Sequence, residues 1–228
     1  METLINQRQA ASKLSKGTSS EVIYSLFLEE LQNLQSSGDL LDFGSGTGNL
    51  TNQLQSLNAF KSISAIDLFP PPTDLDLEIN WMTGDLNEIT GFSDESFDII
   101  VSAEVIEHLE NPRAVVREWY RLLRPSGKLV FSTPNNESWR SILSLLFQGH
   151  FVAFGDTCYP AHITALLRKD IERILKETGF SAPIFKFTDY GGLPKLPKVS
   201  WQTVSGNLLK GARYSDNLLI ISQKICQL

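Results

Sequence analysis

The spacing of apolar residues along this chain changes character near residue 38. Before it, Val22, Ile23, Leu26, Phe27, Leu31 and Leu34 recur at helical spacing behind the cap candidates Ser19 and Ser20. That pattern predicts a helix over 19–36. Residues 2–15, polar with a few aliphatics, predict another. After residue 38, short apolar runs alternate with helical segments. Strands are expected over 39–43, 62–67, 79–83, 97–102 and 127–133, and helices over 48–57 and 112–123. Alternation of this kind implies an α/β fold, a doubly wound parallel sheet with helices on both faces. Pro112 suits a first helical turn, and Arg124-Pro125-Ser126-Gly127 reads as the turn that stops the same helix. Residues 134–165 break the rhythm with a short helix over 138–147 and the irregular, aromatic-rich GHFVAFGDTCYPAH. It resumes with a helix over 168–178 closed by Gly179, a strand over 183–188, a loop through GGLPKLPK, and a last strand over 216–224. The expectation is one domain over 1–228, with N-terminal helices in 1–36 and a cap insert at 134–165 above a ligand.

Composition narrows the setting. No apolar stretch approaches the roughly 18 residues that span a bilayer. METLINQRQA also lacks the basic-then-apolar pattern of a signal peptide. Cys158 and Cys226, the only cysteines, have no metal-ligand spacing. A cytoplasmic protein with two reduced thiols is expected, with one disulfide as the alternative. The net charge of −6 argues against broad nucleic-acid binding, which needs a basic surface. Arg113, Arg117, Arg121, Arg124 and Lys128 recur at spacings of four, four, three and four. They read as a phosphate-reading stripe or, more simply, as a solvated helix face. Lys195, Lys198, Lys210 and Arg213 form a second basic stretch. It suits an anionic substrate, peripheral contact with a membrane surface, or plain solvation.

The chemistry starts at GSGTG, residues 44–48, directly after the first strand. A loop there lies at the usual ligand crevice of an open α/β sheet. It is one residue shorter than the G-x-G-x-x-G of dinucleotide folds, and no Gly-Lys-Ser/Thr follows as in a P-loop. Three glycines favour close backbone approach to a ligand over a tight turn alone. Asp67 ends the second strand, where a carboxylate can accept both ribose hydroxyls of a nucleoside, or cap a loop. Asp85, in TGDL, can accept from an adenine amino group or cap a turn. Taken in order, LLDFGSGTGNL, SAIDLF, WMTGDLNEI, FDIIVSAEVIEHLENP and LLRPSGKLVFSTPN resemble the successive motifs of class I S-adenosylmethionine-dependent methyltransferases. The likeness covers residues 38–135 strongly and 160–190 more loosely. It implies a Rossmann-like, mostly parallel sheet of seven strands, the last antiparallel beside the fifth. It also implies S-adenosyl-L-methionine as cofactor and S-adenosyl-L-homocysteine as product. Gly44, Ser45 and Gly46 would line the methionine portion and Asp42 its amino group. Asp67 with Leu68 would lie at the ribose and Asp85 with Leu86 at the adenine, with Glu104 a further cofactor contact.

The acceptor is written elsewhere. SAEVIEHL replaces the Asn/Asp-Pro-Pro-aromatic motif of the branch that methylates nucleic-acid nitrogens. Glu104, Glu107 and His108 stand at i, i+3 and i+4, which in a helix puts all three on one face. With His162 from the insert they could hold a divalent cation. This E-x-x-E-H plus later His resembles both the metal-dependent 2′-O-methyltransferases of small RNAs and the ubiquinone-biosynthesis O-methyltransferases. In both, the resemblance implies a hydroxyl acceptor. The alternative is that the three residues brace the cofactor loop, with His108 or His162 left as general base. Trp139, Phe147, Phe151, Phe154, Tyr159 and Trp201 suit an apolar or aromatic acceptor, or else pack the cap onto the sheet. The leading expectation is O-methylation of a small molecule, with Glu104, His108 and His162 as the catalytic candidates that, with Glu107, would position or deprotonate the acceptor. RNA 2′-O-methylation, carboxyl or N-methylation, and a noncatalytic cofactor-binding role are the alternatives.

Overall fold

The computed structural model describes residues 2–76 and 78–226. Two helices, α1 (Glu2–Ser15) and α2 (Glu21–Asn33), precede a run of strands and helices. In chain order these are β1 (Asp39–Phe43), α3 (Asn49–Ser56), β2 (Ser62–Asp67), β3 (Asn80–Thr83), β4 (Phe97–Ser102), α4 (Pro112–Leu122) and β5 (Leu123–Pro134). Then come α5 (Trp139–Gln148), α6 (Arg168–Thr178), β6 (Ile184–Phe187), β7 (Gly192–Leu193), β8 (Leu196–Ser200), α7 (Trp201–Val204) and β9 (Asn217–Gln223). Seven strands form one sheet in the order β3-β2-β1-β4-β5-β9-β6. β1 to β5 pair in parallel, and β9 runs antiparallel between β5 and β6. The sheet therefore has the expected strand number, and its antiparallel strand lies beside the fifth.

The strands are two-faced because successive side chains point to opposite sides of a sheet. Leu41, Ile100, Leu129, Phe131 and Ile220 join a core under α4 and α6, centred on the fully buried Trp119. Leu40, Ile99, Val101, Val130 and Leu219 join a second core on the opposite face, closed by Ile23, Phe27 and Leu31 of α2 and Leu50 and Leu54 of α3. α4 begins where the sequence indicates. Asn111 caps it by accepting from the Ala114 amide, and Pro112 occupies the first turn.

Three local expectations change. Residues 124–127 do not form a free turn: β5 begins at Leu123 and carries them as an irregularity, where pairing with β4 shifts between Phe97 and Ile99. GGLPKLPK is not a plain loop, because it forms the two-stranded hairpin β7–β8, which leads into α7. The basic run is not one helix face: Arg113, Arg117 and Arg121 lie on α4, with Arg113 and Arg117 exposed, whereas Arg124 and Lys128 lie on β5. Arg113 pairs with Glu177, Arg121 with Glu118 and Asp94, and Arg124 with Asp39 and Asp98. Lys128 donates to the Leu34 carbonyl. Neither cysteine is in a disulfide. Among the described residues, no helix is long and apolar enough to cross a membrane.

Candidate functional site

The glycine loop turns sharply off the carboxyl end of β1. Gly44 (φ 86°) and Gly46 (φ 55°) both adopt left-handed backbone conformations that glycine takes without strain. Space is the stronger constraint. A Cβ on Gly44 would meet Val105 at 2.4 Å, and one on Gly46 would meet the Gly17 carbonyl oxygen at 2.1 Å. The loop is thus pressed between the segment after β4 and the segment joining α1 to α2. Thr47 N donates to Gly17 O at 2.9 Å and fixes that second contact.

Two carboxylates sit beneath the loop. Asp67 accepts from the Gly46 amide (2.9 Å) and the Phe69 amide (3.1 Å), while burial pushes its pKa up. Asp42 is almost fully buried and accepts from Thr51 Oγ1 at 2.6 Å. Burial above all, with the charge of Asp67 adding to it, raises the Asp42 pKa to about 7. Ser45 Oγ donates to the Asp42 carbonyl, which closes the turn.

A cavity of about 580 Å³ opens above these groups. Asp42, Gly44, Ser45, Gly46, Asp67, Leu68, Asp85, Leu86, Glu104, His108 and His162 all line it. Local sequence patterns from four strand ends and the insert therefore converge on one space. The sequence did not indicate its roof. α1 lies across the opening with Leu4, Arg8 and Ala11, and Tyr24 of α2 and Asn217 of β9 complete the wall. Arg8 reaches Asp85 at 2.6 Å and Glu110 at 2.8 Å, and these bonds raise its own pKa. Asp85 also accepts from the Asn87 amide at 3.0 Å. In this arrangement the acid proposed for an adenine amino group already has one oxygen on Arg8. A helix of polar residues with few aliphatics has little core of its own to bury. That was the one available signal that α1 covers something polar.

The AEVIEHL segment does not meet the condition that would put its three residues on one helix face. It is not an α-helix, so the three residues do not share a helix face. Only Ile106–His108 form a short 3-10 turn, and Glu104 lies before it with a left-handed backbone (φ 55°). Each carboxylate is instead met by its own hydroxyl from β5. Ser132 Oγ donates to Glu104 (2.9 Å), whose other oxygen accepts from Asn217 Nδ2 (2.6 Å). Thr133 Oγ1 donates to Glu107 Oε2 at 3.2 Å. Glu107 is fully buried, and its Oε1 has no hydrogen-bond partner among the described residues. Burial pushes both carboxyl pKa values up, and the proximity of Glu107 adds to the rise at Glu104.

The cap returns to this segment through the backbone. The Glu107 carbonyl accepts from the amides of Ile163 and Thr164, both at 3.0 Å. That contact seats the His162 ring edge-on against His108, with centroids 4.7 Å apart. His108 Nδ1 bonds the Ala161 carbonyl and His162 Nδ1 the Ala153 carbonyl, each at 2.7 Å. A carbonyl only accepts, so each Nδ1 carries the proton and each Nε2 keeps its lone pair. Burial lowers both imidazole pKa values, so both rings are neutral near pH 7. Donor atoms of Glu107, His108 and His162 lie within 4.8 Å of one another, and Glu104 is outside this group. His150, the remaining histidine, bonds the Phe151 carbonyl and lines no part of the cavity.

The expected aromatic pocket is much reduced. Only Tyr159 of the six aromatics lines the cavity, and Phe154 stands behind His162 with ring centroids 5.6 Å apart. Trp139 and Phe147 face outward, and Trp201 packs on Tyr214.

Comparison with known proteins agrees with this geometry. The family model described as a methyltransferase domain matches residues 15–182. The chain belongs to the methyltransferase domain family. Its sheet order and glycine loop fit the resemblance to class I, S-adenosylmethionine-dependent methyltransferases. This methyltransferase is similar to the ubiquinone biosynthesis O-methyltransferase of Nitrosococcus oceani, at 35% identity over 42% of this chain and 43% of that one. It is also similar to the enzyme of the same name from Xanthomonas oryzae pv. oryzae, at 31% identity over 57% and 60%. The chain thus spans about half the length of the curated relatives it matches. Its fold is shared with a SAM-dependent methyltransferase from Archaeoglobus fulgidus (TM-score 0.64, 17% identity, 92% of this chain and 96% of that one). It is shared too with phosphoethanolamine N-methyltransferase 2 of Haemonchus contortus, in complex with S-adenosyl-L-methionine (TM-score 0.60, 19% identity, 90% and 52%).

Proposed function

We propose that this methyltransferase moves the methyl group of S-adenosyl-L-methionine to a hydroxyl oxygen of a small acceptor with an apolar part. The observation that carries the reading is the pair of neutral imidazoles at the cap end of the cavity, each with Nδ1 tied to a carbonyl and Nε2 left basic. The hydroxyl oxygen attacks the methyl carbon in line, the carbon–sulfur bond breaks with its electrons going to sulfur, and the hydroxyl proton passes to Nε2 of His162 or His108. S-adenosyl-L-homocysteine and the methyl ether are the products. In this reading Asp67 accepts from the ribose hydroxyls. Gly44, Ser45 and Gly46 approach the methionine portion, with Asp42 near its amino group. Leu68, Leu86 and Asp85 flank the adenosine, and Glu104 borders the sulfonium end.

The same donor set fits a divalent cation. Glu107 offers a buried oxygen without a partner, and the two histidines offer Nε2 nitrogens already oriented by carbonyls, as metal-bound imidazoles usually are. Glu107, His108 and His162 would hold the ion, which would lower the pKa of a bound hydroxyl. Similarity to proteins named ubiquinone biosynthesis O-methyltransferases supports oxygen as the acceptor atom.

The test is methyl transfer from labelled S-adenosyl-L-methionine to a panel of phenols, catechols and amines, run with and without chelator. Transfer to hydroxyls, with His162→Ala cutting kcat at least a hundredfold at unchanged cofactor affinity, is the expected result. Preferential transfer to amines, or full turnover in both His162→Ala and His108→Ala, would overturn it. Loss on chelation and recovery with added cation would assign Glu107, His108 and His162 to a metal.

A further inference from the structure

α5 is built inside out. Its buried residues are Ser141 and Ser144, whereas Trp139, Leu145, Leu146 and Phe147 are exposed, Leu146 to 70% and Phe147 to 78%. A helix normally turns its apolar stripe to the core and its hydroxyls to water. This one half-buries Ile142 and Leu143 and leaves Trp139, Leu145, Leu146 and Phe147 uncovered.

Charge tells what would cover them. Residues 138–155, which contain α5, and residues 190–215, which contain β7, β8 and α7, hold none of the chain's 26 acidic residues and five of its 20 basic ones. The rest of the chain carries all 26 acidic residues against 15 basic ones, and its own basic run, Arg113 to Lys128, is largely paired with carboxylates. The two segments meet at the start of α5. Trp139 N donates to the Arg213 carbonyl, the Arg213 guanidinium stacks on the Trp139 ring at 5.4 Å, and Arg140 pairs with Asp216. Lys195, Lys198 and Lys210 are exposed and enter no ion pair among the described residues. Further apolar side chains stand beside them in sequence, with Leu196 59% and Leu208 85% exposed.

We propose that α5 and the 190–215 segment dock this methyltransferase on an anionic lipid surface. Exposed leucines and aromatics enter the headgroup boundary, and the free lysines meet the negative charge. A second copy of the chain is the poorer occupant. A two-fold contact through this face would set its acid-free, lysine-bearing segments against their own copies. The docking is independent of which acceptor is methylated.

The experiment is co-sedimentation of the full chain with vesicles of equal phosphatidylglycerol and phosphatidylcholine, and with phosphatidylcholine alone, at low and at 0.5 M salt. Binding to the anionic vesicles, weakened by salt and at least tenfold weaker to phosphatidylcholine, is expected. Leu146→Ser with Phe147→Ser should cost more than tenfold in vesicle affinity, and each of Lys195→Gln, Lys198→Gln and Lys210→Gln about fivefold. Thermal stabilisation by S-adenosyl-L-homocysteine should be retained in these variants, showing that the fold and cofactor cavity persist. Absence of vesicle binding, equal binding to both vesicle types, or unchanged binding in the variants would overturn the proposal. So would light scattering that shows a dimer dissolved by Leu146→Ser, which would assign the face to a second copy.

Discussion

Gly46→Ala isolates the contact between the cofactor loop and the N-terminal segment. Its control is Gly206→Ala. The two glycines have nearly the same backbone conformation, φ 55° and 58°, so the cost of a Cβ in the left-handed region, about 1–2 kcal/mol, is common to both. Their surroundings differ. Among the described residues nothing lies within 4 Å of a Cβ on Gly206, whereas on Gly46 it meets Gly17 O at 2.1 Å and Gly17 C at 2.8 Å. Relief requires backbone to move by more than an ångström. That movement breaks the Thr47 N to Gly17 O bond and disturbs the Gly46 N to Asp67 bond. At about 0.5–1.5 kcal/mol each, these losses make Gly46→Ala more destabilising than Gly206→Ala by about 1–3 kcal/mol. Urea unfolding of both variants measures the difference. S-adenosyl-L-homocysteine should also stabilise the Gly46 variant less at equal ligand concentration. Equal unfolding free energies for the two variants would refute the reasoning, because strain alone would then explain both.

Two further outcomes follow from the buried charges and the roof. Asp42 has a folded-state pKa of about 7 against an ordinary value of 3.8, so between these pH values the native state keeps a proton that the unfolded chain has lost. The stability it contributes is present at low pH and is lost as pH rises through that window, by up to about 1.4 kcal/mol per pH unit. Asp42→Asn, which can still accept from Thr51, should flatten the decline of ligand-free stability between pH 4 and 7, and an unchanged slope would refute the assignment. Arg8→Ala removes the ion pairs that hold α1 to Asp85 and Glu110. Trypsin should then cut after Lys13 and Lys16 about tenfold faster, since local opening sets the rate of nicking. An unchanged rate would mean that apolar contacts hold the helix instead.

The sequence by itself determined the α/β layering, the strand positions and the loop with its two acids. These are local matters. Alternating apolar runs, glycines that take the loop's left-handed conformation without strain, and carboxylates at strand ends are all encoded within a few residues of where they act. That is why Asp42, Gly44, Gly46, Asp67 and Asp85 are legible in the linear chain. The contacts that close the site are not, although His108 and His162 are themselves legible as candidates. His162 meets His108 only because the Glu107 carbonyl captures two amides more than fifty residues later. Arg8 reaches Asp85 across 77 positions, and Asn217 reaches Glu104 across 113. AEVIEHL could not be placed from its spacing alone, because the bonds that hold its carboxylates come from Ser132 and Thr133 of β5, far along the chain. α5 reads as an ordinary amphipathic segment in one dimension. Which of its faces is buried depends on the elements it packs against, so tertiary structure alone decided that Ser141 and Ser144 go in while Leu145, Leu146 and Phe147 stay out.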